Sequence, residues 1–283
     1  PPKRSLVETV LKPAAAVPGK PPQAAARFTT ERLLSVRHWT PRLLSFRISR
    51  SPGFRFRPGH YTRLGLGDGE DGRVWRPFSV VSATHNPFLE FIAVLVPGGA
   101  FSGHLAEAGV GDAMCVDTAS YGFLTIEHFA PGRDLWLLAS GTGLGPFVSM
   151  LRDPATWAAF QTVIVVHSVR YANELAYRDE IATIAQPLSP TVAPERLIYV
   201  PVVTREPCAG ALDARIPRLV DDGRLESAAG LHLDPAHARI MVCGNPDLGR
   251  ALRPQLTGRG FHVNRRGAPG QLAFENYWQA SGT

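Results

Sequence analysis

Cysteine is scarce in this chain, with three among 283 residues: Cys115, Cys208 and Cys243. They are too few and too scattered for a disulfide framework or a four-cysteine iron–sulfur site, so a reducing, cytoplasmic setting is the expectation. Long apolar runs are missing as well. No segment approaches the ~20 apolar residues that a membrane crossing needs, and the first residues lack the continuous apolar core of a secretory signal. Acidic residues are the minority, 24 Asp and Glu against 30 Lys and Arg, for a net charge of +6. That balance favours an anionic partner, whether a phosphorylated cofactor, an acidic protein or a nucleic acid. No zinc-finger spacing and no aromatic-plus-basic RNA-binding signature is present, which makes nucleic acid the least favoured of these. No internal repeat is evident.

What is present is enough apolar sequence, 45% of the chain, to bury a sizeable core in two domains of ordinary size. Residues 1–26 are rich in Pro and Ala, carry Lys3, Arg4, Lys12 and Lys20 against a single Glu8, and read as a loosely docked basic arm. Residues 27–129 hold short runs, "RLLSVRHW", "LLSFRISR", "HYTRLGL", "FSVVSAT", "LEFIAVLV" and "AMCVDTA", broken by turn signals such as "SPGF" and "RPGH". Short strands at that spacing predict an antiparallel β barrel or sandwich. Across residues 130–283 the runs "LWLLAS", "TVIVVHSV", "RLIYVPVVT" and "ARIMVCGN" alternate with helical stretches. This alternation predicts an α/β domain with a mainly parallel sheet, whose ligands lie at the carboxyl ends of the strands.

In "LWLLASGTGLGPFVSML", Leu135 to Leu151, a buried strand runs into three closely spaced glycines and then a helix. Gly141, Gly143 and Gly145 permit positive φ and close approach, and Pro146 suits a first helical turn, so the corner suits a phosphate or pyrophosphate. The pattern departs from G-x-G-x-x-G, which puts glycine where Pro146 stands. A purely structural strand-to-helix turn has the same composition.

"WRPFSVVSA" puts Arg76, Phe78 and Ser79 at a strand start, with Arg76 and Phe78 on one face and Ser79 on the other. A guanidinium pairs bidentately with a diphosphate, and an aromatic lies along a flat ring. An edge strand with an exposed Arg and a core Phe shares the pattern. "VPGGAFSGHL" is a glycine turn into a short helix, with Ser102 near its start, where backbone N–H groups and the hydroxyl suit a second phosphate.

"RPFS", "VPGGAFS", "SGTGLGPFVS", "VVHSVRYANELAYRDEI", "VVTRE", "ARIPRLV", "MVCGNPDL" and "FENYW" occur in the order expected of ferredoxin–NADP reductases. From about Arg27 to Trp278 the chain resembles the bacterial branch of that family. The resemblance implies an FAD-dependent oxidoreductase that exchanges electrons between NADPH and ferredoxin or flavodoxin, acting as a monomer without nucleic-acid or membrane partners. FAD would sit on the barrel, held by Arg76 at its diphosphate, Ser79 near the flavin N5, and Pro77, Phe78, Val94, Gly99 and Ser102. Phe78 replaces the tyrosine of the usual R-x-Y-S, which keeps an aromatic surface and removes a hydroxyl.

NADP(H) would occupy Gly141, Thr142, Gly143 and Pro146, with Arg170, Arg205 and Arg215 clamping its 2′-phosphate, a group that wants forked cationic donors. Cys243 and Gly244 would line the nicotinamide pocket, Cys243 beside Ser79 and Glu275 and without nucleophilic duty; outside the resemblance, an isolated cysteine there reads as core. Glu275 would orient the nicotinamide or relay a proton. Tyr277 would stack on the flavin and yield to the nicotinamide, and Trp278 would cover the adenine, although a terminal Tyr-Trp pair also packs a chain end onto a core. Ser79, Cys243, Glu275 and Tyr277 make the expected catalytic group. Arg55, Arg57 and Arg63 would steer an acidic carrier, although a charge stripe is also an ordinary solvated face. Two other readings stay open at this stage: a reductase for an oxygenase or for free flavin, and a flavin-binding electron-transfer subunit without turnover of its own.

Overall fold

A computed structural model describes residues 27–276, apart from 68, 70, 71, 185–195 and 266; of 196 and 276 it describes the backbone alone. The arm of residues 1–26, Tyr277 and Trp278 lie outside the described residues.

The first half holds β1 (Phe28–His38), β2 (Leu43–Ser49), β3 (Tyr61–Leu66), β4 (Val74–Ser79), β5 (Phe88–Val94), α1 (Ala100–Glu107) and β6 (Ala113–Asp117). The six strands form one antiparallel sheet in the order β4-β3-β6-β1-β2-β5, curled into a nearly closed barrel. Inward residues Leu33, Phe46, Ile48, Leu64, Phe91 and Met114 fill it. The sequence puts a strand at 78–84, whereas the ladder runs over 74–79 and stops at Ser79. Beyond it Val80 N donates to His60 O and Val81 N to Glu90 O, which brings the two edges together. The adjacent valines are both apolar because Val80 enters the barrel core while Val81 enters a second core shared with the other half.

The second half holds β7 (Asp134–Ser140), α2 (Gly145–Leu151), α3 (Pro154–Ala159), β8 (Thr162–Val169), α4 (Arg178–Ile184), β9 (Arg196–Val203), α5 (Ile216–Asp221), α6 (Arg224–Ala229), β10 (Ala238–Gly244), α7 (Pro246–Gly258) and β11 (Leu272–Asn276). Its five strands are all parallel, in the order β11-β10-β7-β8-β9. Apolar runs rather than alternation mark β7, β8 and β10 because both faces of a parallel sheet are covered. One face, with Leu137, Ala139, Met241 and Cys243, packs with Leu43, Val81, Ile92 and Leu124 of the barrel half. The other, with Trp136, Leu138, Ile240 and Val242, packs under α5, α6 and α7.

Polar contacts join the halves beside that shared core. Ser149 Oγ donates to Ser82 O at 2.8 Å, and an Arg152 guanidinium nitrogen donates to Val81 O at 3.0 Å and to the Glu90 carboxylate at 3.1 Å. The Tyr177 hydroxyl donates to the other Glu90 oxygen at 3.0 Å.

Candidate functional site

The glycine turn follows β7, and its glycines do different work. A side chain on Gly143 would meet the backbone oxygen of Cys243 at 2.3 Å, so Gly143 is there to let the turn lie on the end of β10. Gly145 faces the barrel, where a Cβ would come 3.2 Å from Ile92, 3.3 Å from Val81 and 3.9 Å from the Ser79 Cβ. Gly141, at φ +53°, has open space around it and is exposed. Across the turn Gly244, at φ +127°, leaves room for Ser140, whose hydroxyl accepts from Asn245 N at 2.8 Å. Pro146 and the rest of α2 are buried, so the accessible part of the turn is Gly141 and the half-buried Thr142.

Beneath the turn lies His167 of β8, fully enclosed, with a hydrogen bond to the Gly141 backbone and its Nδ1 3.3 Å from the Tyr199 hydroxyl. Burial lowers its pKa to about 4, so the ring is neutral at physiological pH and anchors the turn without adding charge.

A cleft of about 840 Å³ opens over Gly141, Thr142 and Gly244, and Arg170, Arg205 and Arg215 all line it. They follow β8, follow β9 and precede α5 respectively, which places them along the carboxyl edge of the sheet. None of the three side chains makes an ion pair or hydrogen bond among the described residues, whereas nine other arginines pair with carboxylates. The nearest acids are engaged elsewhere. Glu174 accepts from the Arg170 and Tyr171 amides at 2.9 and 3.1 Å, and Asp247 pairs with Arg250. Uncompensated forked cations at one end and an open backbone turn at the other suit an elongated polyphosphate ligand. The start of α7 completes the wall, with Asn245 capping the Asp247 amide at 2.8 Å and Pro246 following it.

The parallel register sets Cys243 beside Glu275 on neighbouring strands. Cys243 is wholly buried. One Glu275 oxygen is buried without a partner among the described residues, and desolvation raises the carboxyl to a pKa of about 7. The other oxygen faces Gly122, where a Cβ would approach it to 3.5 Å. Ser79, at the end of β4, is also buried and abuts Gly145 of the turn.

On the barrel, Arg76 is exposed, its guanidinium donating only to Trp75 O at 2.8 Å among the described residues, and Pro77 beside it is exposed too. Phe78 is half-buried against Phe46, Phe91 and Phe101, at ring separations of 6.1, 6.3 and 5.1 Å. The Ser102 hydroxyl accepts from Val96 N at 2.9 Å and so fastens the turn that ends at Gly99, the residue before α1. Val94, expected at the flavin, lines the cleft of the arginines.

A family model for an oxidoreductase NAD-binding domain matches residues 137–253. Ferredoxin–NADP reductase A of Sorangium cellulosum is 38% identical over 253 residues, covering 88% of this chain and 89% of that protein. The flavodoxin/ferredoxin–NADP reductase of Escherichia coli is 36% identical over 255 residues, covering 89% of this chain and all of that protein. The chain belongs to the ferredoxin–NADP reductase family. Among solved structures, a ferredoxin NADP+ reductase from Neisseria gonorrhoeae with bound FAD and NADP superposes with a TM-score of 0.84 at 37% identity, over 89% of this chain and 100% of that one.

For a reductase of this family, the structure brings Cys243, Glu275, Ser79 and the glycine turn to one place, and the three arginines to an adjoining cleft. Tyr277 and Trp278 fall outside the described residues. His167 and Asn245 were missed by sequence reasoning. A histidine inside the largely apolar β8 marks the first, and an Asn-Pro-Asp helix start marks the second.

Proposed function

We propose that this chain is an FAD-dependent reductase that takes electrons from NADPH and passes them to ferredoxin or flavodoxin. The observation that carries it is the cleft that gathers Arg170, Arg205 and Arg215, none of them ion-paired among the described residues, beside the open backbone of Gly141 and Thr142. A 2′-phosphate with nearly two charges matches the arginines, and a pyrophosphate matches the turn. NADPH is therefore preferred over NADH.

FAD fits the barrel side. Arg76 has donors to spare for the diphosphate, Pro77 and Phe78 offer an apolar edge, and Gly99 and Ser102 shape the turn beside it. Held there, FAD would supply two-electron exchange with NADPH and single-electron exchange with a one-electron carrier. The chain's own residues position and dry the site. Ser79 and Cys243, both buried, wall it against water and align the nicotinamide, and Cys243 forms no covalent bond. Glu275, with an oxygen unpartnered among the described residues and a pKa of about 7, holds or releases a proton at that oxygen near neutral pH.

Arg55, Arg57 and Arg63 steer the acidic carrier, although Arg63 shares its charge with Asp117 and Arg57 with Glu127. The encounter is read as transient and the enzyme as a monomer, and three free cysteines fit a cytoplasmic setting. The curated relatives do not favour an oxygenase component or a flavin module without turnover. NADPH-driven reduction of cytochrome c tests the assignment. It should depend on added ferredoxin or flavodoxin, and a rate indifferent to either carrier would count against it.

A further inference from the structure

Arg42 belongs to the barrel half, at the tip of the β1–β2 hairpin, yet it lines the same cleft as Arg170, Arg205 and Arg215. Its backbone is fixed at both ends. The Thr40 hydroxyl accepts from Arg42 N at 3.2 Å, and Leu95 N donates to Arg42 O at 2.7 Å. Its side chain is exposed and makes no hydrogen bond, ion pair or ring contact among the described residues. Arg37, near the end of β1, behaves differently: it pairs with Glu180 of α4 at 2.5 Å and stacks 3.6 Å over the Trp39 ring. Arg37 thus fastens the hairpin to the α/β half, and Arg42 is left facing the cleft.

The sheet order says which part of the cleft it serves. The glycine turn lies at the end of β7, Arg170 one strand further out after β8, and Arg205 at the edge after β9. Arg42 adjoins Leu43, which pairs with Val94 at the end of β5. Two residues earlier on β5, Ile92 packs against Gly145 of the turn. Arg42 therefore approaches from the side of the turn, not from the outer arginines.

We propose that Arg42 binds the pyrophosphate of NADP(H) from the barrel side, opposite Gly141 and Thr142. The dinucleotide then bridges the two halves, with Arg170, Arg205 and Arg215 left to the 2′-phosphate. A pyrophosphate held by a backbone turn alone keeps one face in water, and a planar guanidinium across the cleft supplies the forked donors for that face. This inference rests on the placement of NADP(H) in the cleft proposed above.

Calorimetric titration of the FAD-loaded full chain tests it with three probes, NADP+, NAD+ and adenosine 2′-monophosphate. Arg42→Ala should weaken NADP+ and NAD+ by the same factor, about tenfold, the size of one charge-assisted pair. The affinity for adenosine 2′-monophosphate should not change. Arg42→Lys should recover part of the loss, since it restores the charge without the fork. Unaltered NADP+ binding in Arg42→Ala overturns the inference, as does a parallel loss for adenosine 2′-monophosphate, which would put Arg42 on the 2′-phosphate. A wild-type chain that binds none of the probes overturns the placement of the dinucleotide itself, and the inference with it.

Discussion

Glu275, the residue proposed to hold a proton at the site, carries a cost in stability. Desolvation raises its folded pKa from 4.5 to about 7. The folded state therefore binds the proton more tightly than the unfolded one. The stability this linkage supplies is complete below the unfolded pKa and disappears as pH rises through about 7, a change of about 3 kcal/mol at most. In flavin-free protein, Glu275→Gln should match wild type near the unfolded pKa and exceed it by up to ~3 kcal/mol at alkaline pH, read by urea unfolding. The same variant should slow flavin reduction by NADPH about 10²-fold, the usual size of a lost proton-transfer group. Equal stability of the two proteins at alkaline pH would contradict the burial argument. At this scale motif order made Arg76, Ser79, Cys243 and Glu275 visible as candidates. Arg42 was not, because an arginine on a hairpin tip reads as a solvated charge until the fold brings the opposite wall to it.

The glycine turn is the element on which the cleft depends. Its glycines should respond unequally to the same change. Gly143→Ala drives a Cβ to 2.3 Å from the Cys243 carbonyl oxygen, backbone against backbone, and the turn must leave the end of β10. We expect loss of NADP+ binding and several kcal/mol of destabilisation. Gly141→Ala meets open space at φ +53° and should cost only the left-handed conformation, about 1–2 kcal/mol. Thermal unfolding of the two variants side by side checks the contrast, and equal effects would refute it.

The strands β7 to β10 were legible because a buried parallel strand is an uninterrupted apolar run. The ladder of β4 was displaced from the expected position because Val80 and Val81 enter two different cores, so the apolar signal continues after pairing with β3 ends. β11 escaped notice as a strand because "LAFEN" is short and was read as part of an aromatic end.

For the whole molecule, the expected division into a barrel and an α/β half omits how the two are held. Glu90 on β5 meets Arg152 after α2 at 3.1 Å, the Tyr177 hydroxyl at 3.0 Å and, more loosely, Arg47 at 3.4 Å. Burial and the neighbouring Glu90 carboxylate push the Tyr177 hydroxyl far above its usual pKa, so it stays protonated as a donor. Tyr177 sits at φ +61°, a strained position for its residue type that the surrounding contacts must stabilise. Glu90→Ala should cost about 3–5 kcal/mol, since it strands a cation and a hydroxyl at the junction. We expect single-step unfolding of wild type, whose core spans both halves, and two separable transitions in the variant. One cooperative transition in both would show that the apolar core alone couples them. None of this was legible in the sequence, because Glu90, Arg152 and Tyr177 lie far apart in the chain and none belongs to a phosphate-binding pattern.

The central claim is that one molecule joins a flavin site to an NADPH-selective cleft. Anaerobic titration of the purified chain with NADPH and, separately, NADH tests it most directly. We expect a flavin absorbance band near ~450 nm, bleached by NADPH at far lower concentration than by NADH. A protein that cannot be loaded with FAD, or one whose flavin responds equally to both nucleotides, would contradict it.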